Sequence, residues 1–179
     1  SYLHAKLYKG QRTGWSGVYY KLEKINTVYL YATECTLTNL PDKNSNTQAV
    51  LAFTVNQADS SIAAAGIMNV EGTLKYFMRY FDNDFEGLKV IVGPEYTPGS
   101  HTFELGLHQD VIEKGTGDQI RDGWVKFYVD GNVVLNVSNV NNYGRILNYA
   151  RLGFCYADSP SNRESIFTCH YAAISNSFV

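Results

Sequence analysis

Residues 122–137, DGWVKFYVDGNVVLNV, decide the fold because apolar and polar side chains alternate along them. Val125, Phe127 and Val129 form an apolar set, and the residues between them form an amphipathic set. This period of two residues predicts a half-buried β-strand with the apolar set in the core. An Asp-Gly dipeptide follows, and both of its residues tolerate positive φ. The stretch therefore predicts a β-hairpin whose second strand is NVVLNV.

Similar strand-like runs, separated by turn residues, recur along the chain, about eleven in total. Examples are GVYYKLE, TVYLYATECTLT, AVLAFTVNQ, LKYFMRYF, HTFELGLHQ and ARLGFCYA. The best helical candidate is QADSSIAAAGI, whose alanines favour helix. Short strands without interleaved helices predict an all-β fold, a two-sheet antiparallel jelly-roll sandwich with less than about 10% helix. We expect residues 1–179 to form one such domain.

The charge pattern argues against two classes of partner. The net charge is −2 and Lys and Arg do not cluster, so we expect no nucleic acid. No apolar run approaches the roughly 20 residues of a membrane-spanning helix, so we expect no membrane insertion. The chain opens at Ser1 without an initiator Met or a signal peptide, which suggests a processed product or a domain of a larger multidomain chain.

Three cysteines, Cys35, Cys155 and Cys169, leave two hypotheses open. An odd count without CxxC spacing argues against a zinc site and against a disulfide framework. Cys155 and Cys169 lie in consecutive strand-like runs and could form a disulfide across a hairpin. Buried free thiols are the favoured alternative. The redox compartment stays undecided.

Catalytic motifs are missing from the sequence. A glycosidase needs two carboxylates about 5–10 Å apart, which carboxylates two residues apart on a strand provide. No such pair occurs in a strand-like run, and there is no G-x-S-x-G motif. The histidines are scattered as well. These absences favour a protein that is not an enzyme.

HTFELGLHQD is a strand with two different faces. Phe103, Leu105 and Leu107 point one way, and Glu104 and His108 point the other. The favoured interpretation of the second face is a solvated polar surface. The alternative is a face that contacts a ligand.

FDNDFEG places Asp82, Asp84 and Glu86 within five residues. Such a density of oxygen ligands suits Ca²⁺, although the spacing is not that of an EF-hand loop. Asp- and Asn-rich turns also occur for conformational reasons alone. We therefore predict no cofactor apart from calcium as a secondary hypothesis.

Aromatic side chains indicate a surface for sugar rings. Trp124 and Tyr128 lie two pleats apart on one strand face, roughly 13 Å. Aromatic rings stack on the C–H faces of sugars, while neighbouring polar groups satisfy hydroxyls. The predicted ligand-binding residues are Trp15, Phe77, Arg79, Phe81, Glu104, His108, Trp124 and Tyr128.

Two resemblances add to this interpretation. GWVKFYVDGNVV resembles the concanavalin A-like lectin/glucanase superfamily, in which a strand ending in VDG turns back into the next strand. More weakly, GWSGVYY, SIAAAGI and LKYFMRYF follow one another in an order similar to the glutamic peptidases (eqolisins). That second resemblance puts Ala64 at the position of the catalytic glutamine and Arg79 at that of the glutamate. Both replacements imply that peptidase chemistry is lost.

The leading hypothesis is therefore a non-catalytic carbohydrate-binding module that recognises an extended glycan on an aromatic-lined concave face. We expect an extracellular or cell-surface location and a polysaccharide partner. One alternative is a glycan hydrolase or lyase, or a peptidase-like enzyme of the same fold, whose residues converge from different strands. The other alternative is a structural or adhesion domain of a larger surface protein.

Overall fold

The protein is a sandwich of two antiparallel β-sheets. A computed structural model describes residues 3–7, 15–23, 26–38, 48–54, 61–85, 87–145, 147–155 and 164–179. Within these residues the only helical element is a three-residue 3-10 turn, Asn83–Phe85. This architecture confirms the predicted all-β, two-sheet jelly-roll sandwich. Among the described residues, no helix is long and apolar enough to span a membrane.

Sheet A has seven strands among the described residues. In spatial order they are β1 (Leu3–Leu7), β14 (Ser165–Cys169), β3 (Thr27–Thr38), β8 (His101–His108), β11 (Trp124–Val129) and β12 (Asn132–Ser138). The seventh strand, β15 (Tyr171–Ser175), follows β14 after a break at His170 and pairs with β3. Strand β3 therefore has neighbours on both sides, β8 on one and β14 with β15 on the other.

Within the described part of the chain, sheet B has six strands. In spatial order they are β2 (Trp15–Lys21), β13 (Tyr149–Cys155), β4 (Gln48–Thr54), β5 (Ser61–Val70), β6 (Thr73–Asp82) and β7 (Gly87–Glu95). Strands β4 to β7 form a meander of consecutive antiparallel neighbours. A separate two-stranded ribbon joins β9 (Val111–Ile112) to β10 (Gln119–Ile120).

The inner faces of the two sheets form one hydrophobic core. Strands such as β8, β11 and β13 contribute alternate residues to it, as the period of two requires. Phe103, Leu105 and Leu107 of β8 are at most 1% exposed, as the sequence predicted. They pack with side chains of sheet B such as Leu51 and Phe53.

The hairpin of β11 and β12 is confirmed. Val125 and Phe127 are fully buried and Val129 is 8% exposed, so the predicted apolar set lies in the core. Asp130 and Gly131 form the turn with φ values of 52° and 80°. This is the positive-φ geometry that the Asp-Gly dipeptide favours.

The helical candidate QADSSIAAAGI is wrong where the structure describes it, because residues 61–67 belong to β5. Ala63 and Ala65 face the core and Ala64 faces the opposite way, all fully buried between β4 and β6. Burial on both faces of a central strand outweighs the helix propensity of alanine.

The cysteine pairing considered from the sequence is also wrong. Cys155 and Cys169 do not share a hairpin, because β13 belongs to sheet B and β14 to sheet A. All three cysteines are buried free thiols, as the favoured hypothesis stated. The neighbour of Cys169 is Cys35.

Candidate functional site

The side chains of sheet B that point away from sheet A form a surface that we call the outer face of sheet B. Direct cross-strand partners lie on the same face of a sheet. One row of such partners crosses all six strands: Tyr19, Arg151, Ala52, Ala64, Arg79 and Val90. Two arginines are therefore separated by two alanines, about 14 Å apart at the backbone for three strand spacings.

Small residues form the floor between the two arginines. Ala52 and Ala64 are fully buried. At Gly66 a Cβ atom would lie 1.9 Å from the carbonyl oxygen of Ala49. None of these three residues carries a side-chain atom beyond Cβ, so the floor is low.

Arg79 reaches from β6 over this floor to groups on β4 and β13. Its Nη1 donates a hydrogen bond to Gln48 Oε1, and its Nη2 lies 3.1 Å from Cys155 Sγ. Gln48 is 9% exposed and Cys155 is 2% exposed. Arg79 and Ala64, the two positions to which the glutamic peptidase resemblance pointed, are direct cross-strand partners.

Arg151 lies beside two tyrosines that contact each other. Its guanidinium carbon is 5.7 Å from the centre of the Tyr19 ring and 5.9 Å from that of Tyr149. The two rings contact each other edge to face at 5.5 Å. Arg151 Nε donates to Thr54 Oγ1 at 3.3 Å, which fixes the guanidinium against β4. Tyr19 is 55% exposed, whereas Arg151 is buried.

Among the described strand residues of this face, cations outnumber carboxylates. Four cationic strand residues point outward, whereas Glu95 is the single carboxylate among the strand residues described on this face. The cations are Lys21, Lys75, Arg79 and Arg151. The whole chain has a net charge of −2, so this positive surface is local. Such a surface attracts polyanions.

The predicted binding residues fall into two groups on opposite sheets. Phe77, Arg79 and Phe81 lie on the outer face of sheet B, and the backbone of Trp15 pairs with Cys155 there. Phe77 is fully buried, and the Arg145 guanidinium lies over the Phe81 ring at 3.5 Å. The other four residues, Glu104, His108, Trp124 and Tyr128, lie on the outer face of sheet A. The eight residues therefore do not line one groove.

On sheet A the two predicted platform rings are already packed. Trp124 contacts Tyr29 at 5.8 Å between ring centres and stacks on His108 at 5.9 Å. Tyr128 lies 4.4 Å from Phe178 near the C-terminal end of the chain. Both rings are therefore partly covered by protein.

Glu104 does not lie on a solvated surface, which corrects the favoured interpretation of its strand face. Its relative exposure is 3%, and burial raises the pKa of its carboxyl to about 7. Its Oε1 accepts a hydrogen bond of 3.2 Å from the backbone N–H of Val179. Phe178, Tyr31 and Tyr128 line the same cavity.

His108 sits in a chain of hydrogen bonds. Its Nδ1 lies 2.7 Å from Thr27 Oγ1 and its Nε2 lies 3.0 Å from Asp122 Oδ2. Thr27 and Trp124 are its partners on the two neighbouring strands. These contacts fix the position of the imidazole on the outer face of sheet A.

The calcium hypothesis stays a prediction. Among the described residues, no group of three His, Cys, Asp or Glu side chains is placed to hold a metal ion. Asp82 is buried and accepts a hydrogen bond from the backbone of Asp84. Hydrogen bonds from Asn141 and Arg121 lower the pKa of Asp84. Glu86 lies outside the described residues.

Four residues of the outer face of sheet B were missed from the sequence: Tyr19, Gln48, Tyr149 and Arg151. The run YARLGFC carried a signal for the last two. Its residues Ala150, Leu152 and Phe154 alternate as a core set, which leaves Tyr149 and Arg151 on the opposite face.

Comparison with known proteins gives matches to solved structures alone. No family model matches, and no curated protein matches. An alginate lyase in complex with an alginate trisaccharide is 12% identical, with a TM-score of 0.60 over 99% of this chain and 82% of that chain. Alginate lyase vAL-1 from Chlorella virus is 13% identical, with a TM-score of 0.58 over 97% and 84%. An endo-β-1,4-glucuronan lyase from Trichoderma reesei is 15% identical, with a TM-score of 0.59 over 99% and 81%.

These neighbours overturn the leading functional hypothesis. A non-catalytic binding module was predicted, whereas the matched structures are polysaccharide-cleaving lyases. They favour the alternative of a lyase of the same fold. They give no support to the resemblance to glutamic peptidases. The chain shares with these lyases the jelly-roll fold of the concanavalin A-like type.

Proposed function

We propose that this protein is a polysaccharide lyase that cleaves a polyuronate on the outer face of sheet B. The observation that carries the proposal is the excess of cations among the described strand residues of that face, with Arg151 beside Tyr19 and Tyr149. Two of the structural neighbours are an alginate lyase and a glucuronan lyase. Alginate and glucuronan are both polymers of uronic acids. The shared fold supports a substrate of the same class.

Elimination from a polyuronate requires a base that takes the C5 proton, an acid that protonates the departing O4 and a cation that binds the carboxylate. The C5–H bond breaks, a double bond forms between C4 and C5, and the C4–O4 bond to the next sugar breaks. No water is consumed. Negative charge builds up on the neighbouring carboxylate as the C5 proton leaves. A fixed cation that binds that carboxylate therefore stabilises the transition state.

The outer face of sheet B offers groups for each requirement. Arg151 binds the carboxylate of the sugar that loses its proton. One of Tyr19 and Tyr149, as the phenolate, takes the C5 proton and becomes a neutral hydroxyl, and a tyrosine hydroxyl gives its proton to the departing O4, so that one proton is taken up and one is released in each turnover. Arg79, with Gln48, binds a second carboxylate farther along the chain. Binding at two points aligns the polymer across the strands.

Incubation with alginate and glucuronan tests this proposal. Elimination produces a double bond conjugated to the carboxyl group, which is detected by ultraviolet absorbance, together with new reducing ends. A neutral polysaccharide serves as the control and should stay intact. New reducing ends without the absorbance would indicate hydrolysis and contradict the proposal. No product from any polyuronate would contradict it as well.

A matched variant on the opposite sheet locates the activity. Glu104→Gln removes the buried carboxyl of the outer face of sheet A and should leave polyuronate cleavage unchanged. Loss of turnover in this variant, if it is folded, would indicate that the active site lies on sheet A.

A further inference from the structure

Two cysteines of sheet A meet across neighbouring strands. Thr36 of β3 pairs with Thr168 of β14, so Cys35 and Cys169 are the next partners in the ladder. Their sulfur atoms are 2.7 Å apart, and both residues are 1% exposed. Even carbon atoms, which are smaller than sulfur, prefer contacts of about 3.5–4.0 Å when they are not bonded. The two sulfurs are therefore closer than an ordinary non-bonded contact.

The backbone around the pair is irregular. Glu34 has a φ of 49°, and the register of β3 against β8 shifts between Ala32 and Cys35. On the other strand, His170 interrupts the ladder between β14 and β15 and donates its N–H to Thr33 O at 2.9 Å. Glu34 and His170 are exposed, and Oε2 of Glu34 lies 3.6 Å from Nδ1 of His170. The buried sulfurs thus lie one residue from the surface at a break in the sheet.

The third cysteine has a different environment. Cys155 belongs to the small cluster on the outer face of sheet B and contacts Arg79 at 3.1 Å. Cys35 and Cys169 belong to the main core. The structure therefore presents one pair of thiols and one separate thiol.

We infer that Cys35 and Cys169 form a disulfide bond when the protein folds or is held in an oxidising thiol–disulfide environment. One thiolate attacks a small disulfide such as oxidised glutathione, which gives a mixed disulfide and releases one glutathione. The second thiolate then attacks the protein sulfur and releases the other glutathione. In balance, two protein S–H bonds and one glutathione S–S bond are exchanged for one protein S–S bond and two glutathione S–H bonds.

Burial slows this exchange in the folded state. Desolvation, together with the hydrogen bond to Cys169, raises the pKa of the Cys35 thiol. The reactive species is the thiolate, so oxidation of the folded protein is slow at neutral pH. Refolding from denaturant in a glutathione buffer avoids this barrier.

Counting free thiols on the wild-type protein tests the inference directly. After refolding with reduced and oxidised glutathione, the denatured protein should react with one maleimide, and after full reduction with three. Peptide mapping under non-reducing conditions should link the peptides of Cys35 and Cys169. Three free thiols after oxidation, or a link that includes Cys155, would overturn the inference.

Thermal stability gives a second measurement. The bond would close a loop of 134 positions, and such long loops gain the most from a cross-link. The oxidised protein should melt on the order of 10 °C above the reduced protein. Cys35→Ala and Cys169→Ala should remove the difference, whereas Cys155→Ala should retain it. An unchanged melting temperature on oxidation of the wild type would contradict the inference even if a variant failed to fold.

Discussion

Arg151 is the side chain on which the proposed elimination depends most. Arg151→Gln keeps a polar side chain but removes the charge beside Tyr19 and Tyr149. We expect kcat/KM on a polyuronate to fall by about 100-fold or more, the usual cost of losing a group that stabilises transition-state charge. Initial rates of ultraviolet absorbance measure this loss.

The matched control for Arg151 is Lys126, a cation on the outer face of sheet A that lies over Trp124. Lys126→Gln removes the same charge from the molecule and should leave kcat/KM unchanged. Equal losses in both variants would mean that net charge matters and that position does not. A folded Arg151→Gln protein with wild-type activity would remove Arg151 from the site.

Glu104 predicts a pH-dependent stability. Burial raises the pKa of its carboxyl from 4.5 to about 7 in the folded protein, so the folded state holds the proton more tightly than the unfolded state. The stabilisation that the folded state gains from this tighter proton binding is fully present below pH 4.5 and is lost as the pH rises through about 7. Glu104→Gln is neutral at every pH. At pH 8 the free energy of unfolding of this variant should therefore be higher than that of the wild type by about 1–2 kcal/mol, a value reduced for solvent screening near the surface.

Urea unfolding of both proteins at pH 5 and pH 8 measures this difference. The advantage of Glu104→Gln should shrink toward pH 5, because the wild-type carboxyl is then mostly protonated when folded. A constant difference across this range would show that the carboxyl keeps its ordinary pKa.

Single residues were predictable where one strand period decides their burial. Val125 and Phe127 are fully buried as the alternation required. Glu104 was placed wrongly, because a polar residue on the outer face is exposed only if nothing packs over it. The contact with Val179 comes from a segment 75 positions away. A local sequence pattern cannot predict a contact between residues that lie so far apart in the chain.

At the scale of the strand, Gly66 sets the distance between β4 and β5. An added Cβ would lie 1.9 Å from Ala49 O and 2.9 Å from Val50 Cα, both backbone atoms that cannot rotate away. We expect Gly66→Ala to lower the free energy of unfolding by about 1–3 kcal/mol, as overpacking does. Gly87→Ala is the control, because nothing lies within 4 Å of its added Cβ. Equal stability of both variants would show that β5 shifts freely.

The strands themselves were more predictable than the strands with which they pair. The runs named in the sequence correspond to β-strands wherever the structure describes them, because each carries its own alternation. Residues 61–67 were ambiguous, since a strand buried on both faces loses the alternation and alanine favours helix. The partners of β13 lie far away in sequence: Arg151 pairs with Tyr19 on one side and Ala52 on the other.

For the whole molecule, the separation of charge predicts salt-sensitive activity. The described strand residues of the outer face of sheet B carry more cations than carboxylates although the net charge is −2, so we expect the attraction of a polyanion to depend on a local field. Raising the salt concentration from about 0.01 M to about 1 M shortens the Debye length from about 30 Å to about 3 Å. We expect the KM for a polyuronate to rise by about tenfold, a loss of about 1.4 kcal/mol. Steady-state kinetics in sodium chloride measure it, and a salt-independent KM would contradict an electrostatic role for this face.

The functional site was the least predictable part because its residues converge only in the complete sandwich. The sequence indicated a glycan partner from aromatic residues that turn out to lie on two opposite sheets. The cations of sheet B come from β2, β6 and β13, which are not consecutive. Local spacing therefore offered no motif for a catalytic site.

The position of β3 has a consequence for the order of folding. Strands β4 to β7 pair with their sequence neighbours, whereas β3 pairs through Thr27 with His108 and through Thr36 with Thr168. Closing such long loops costs more entropy and slows folding. The meander of sheet B should therefore assemble first, and sheet A should close around β3 last. Pulsed hydrogen exchange during refolding would then protect the amides of β5 and β6 before those of β3; the reverse order would place the nucleus in sheet A.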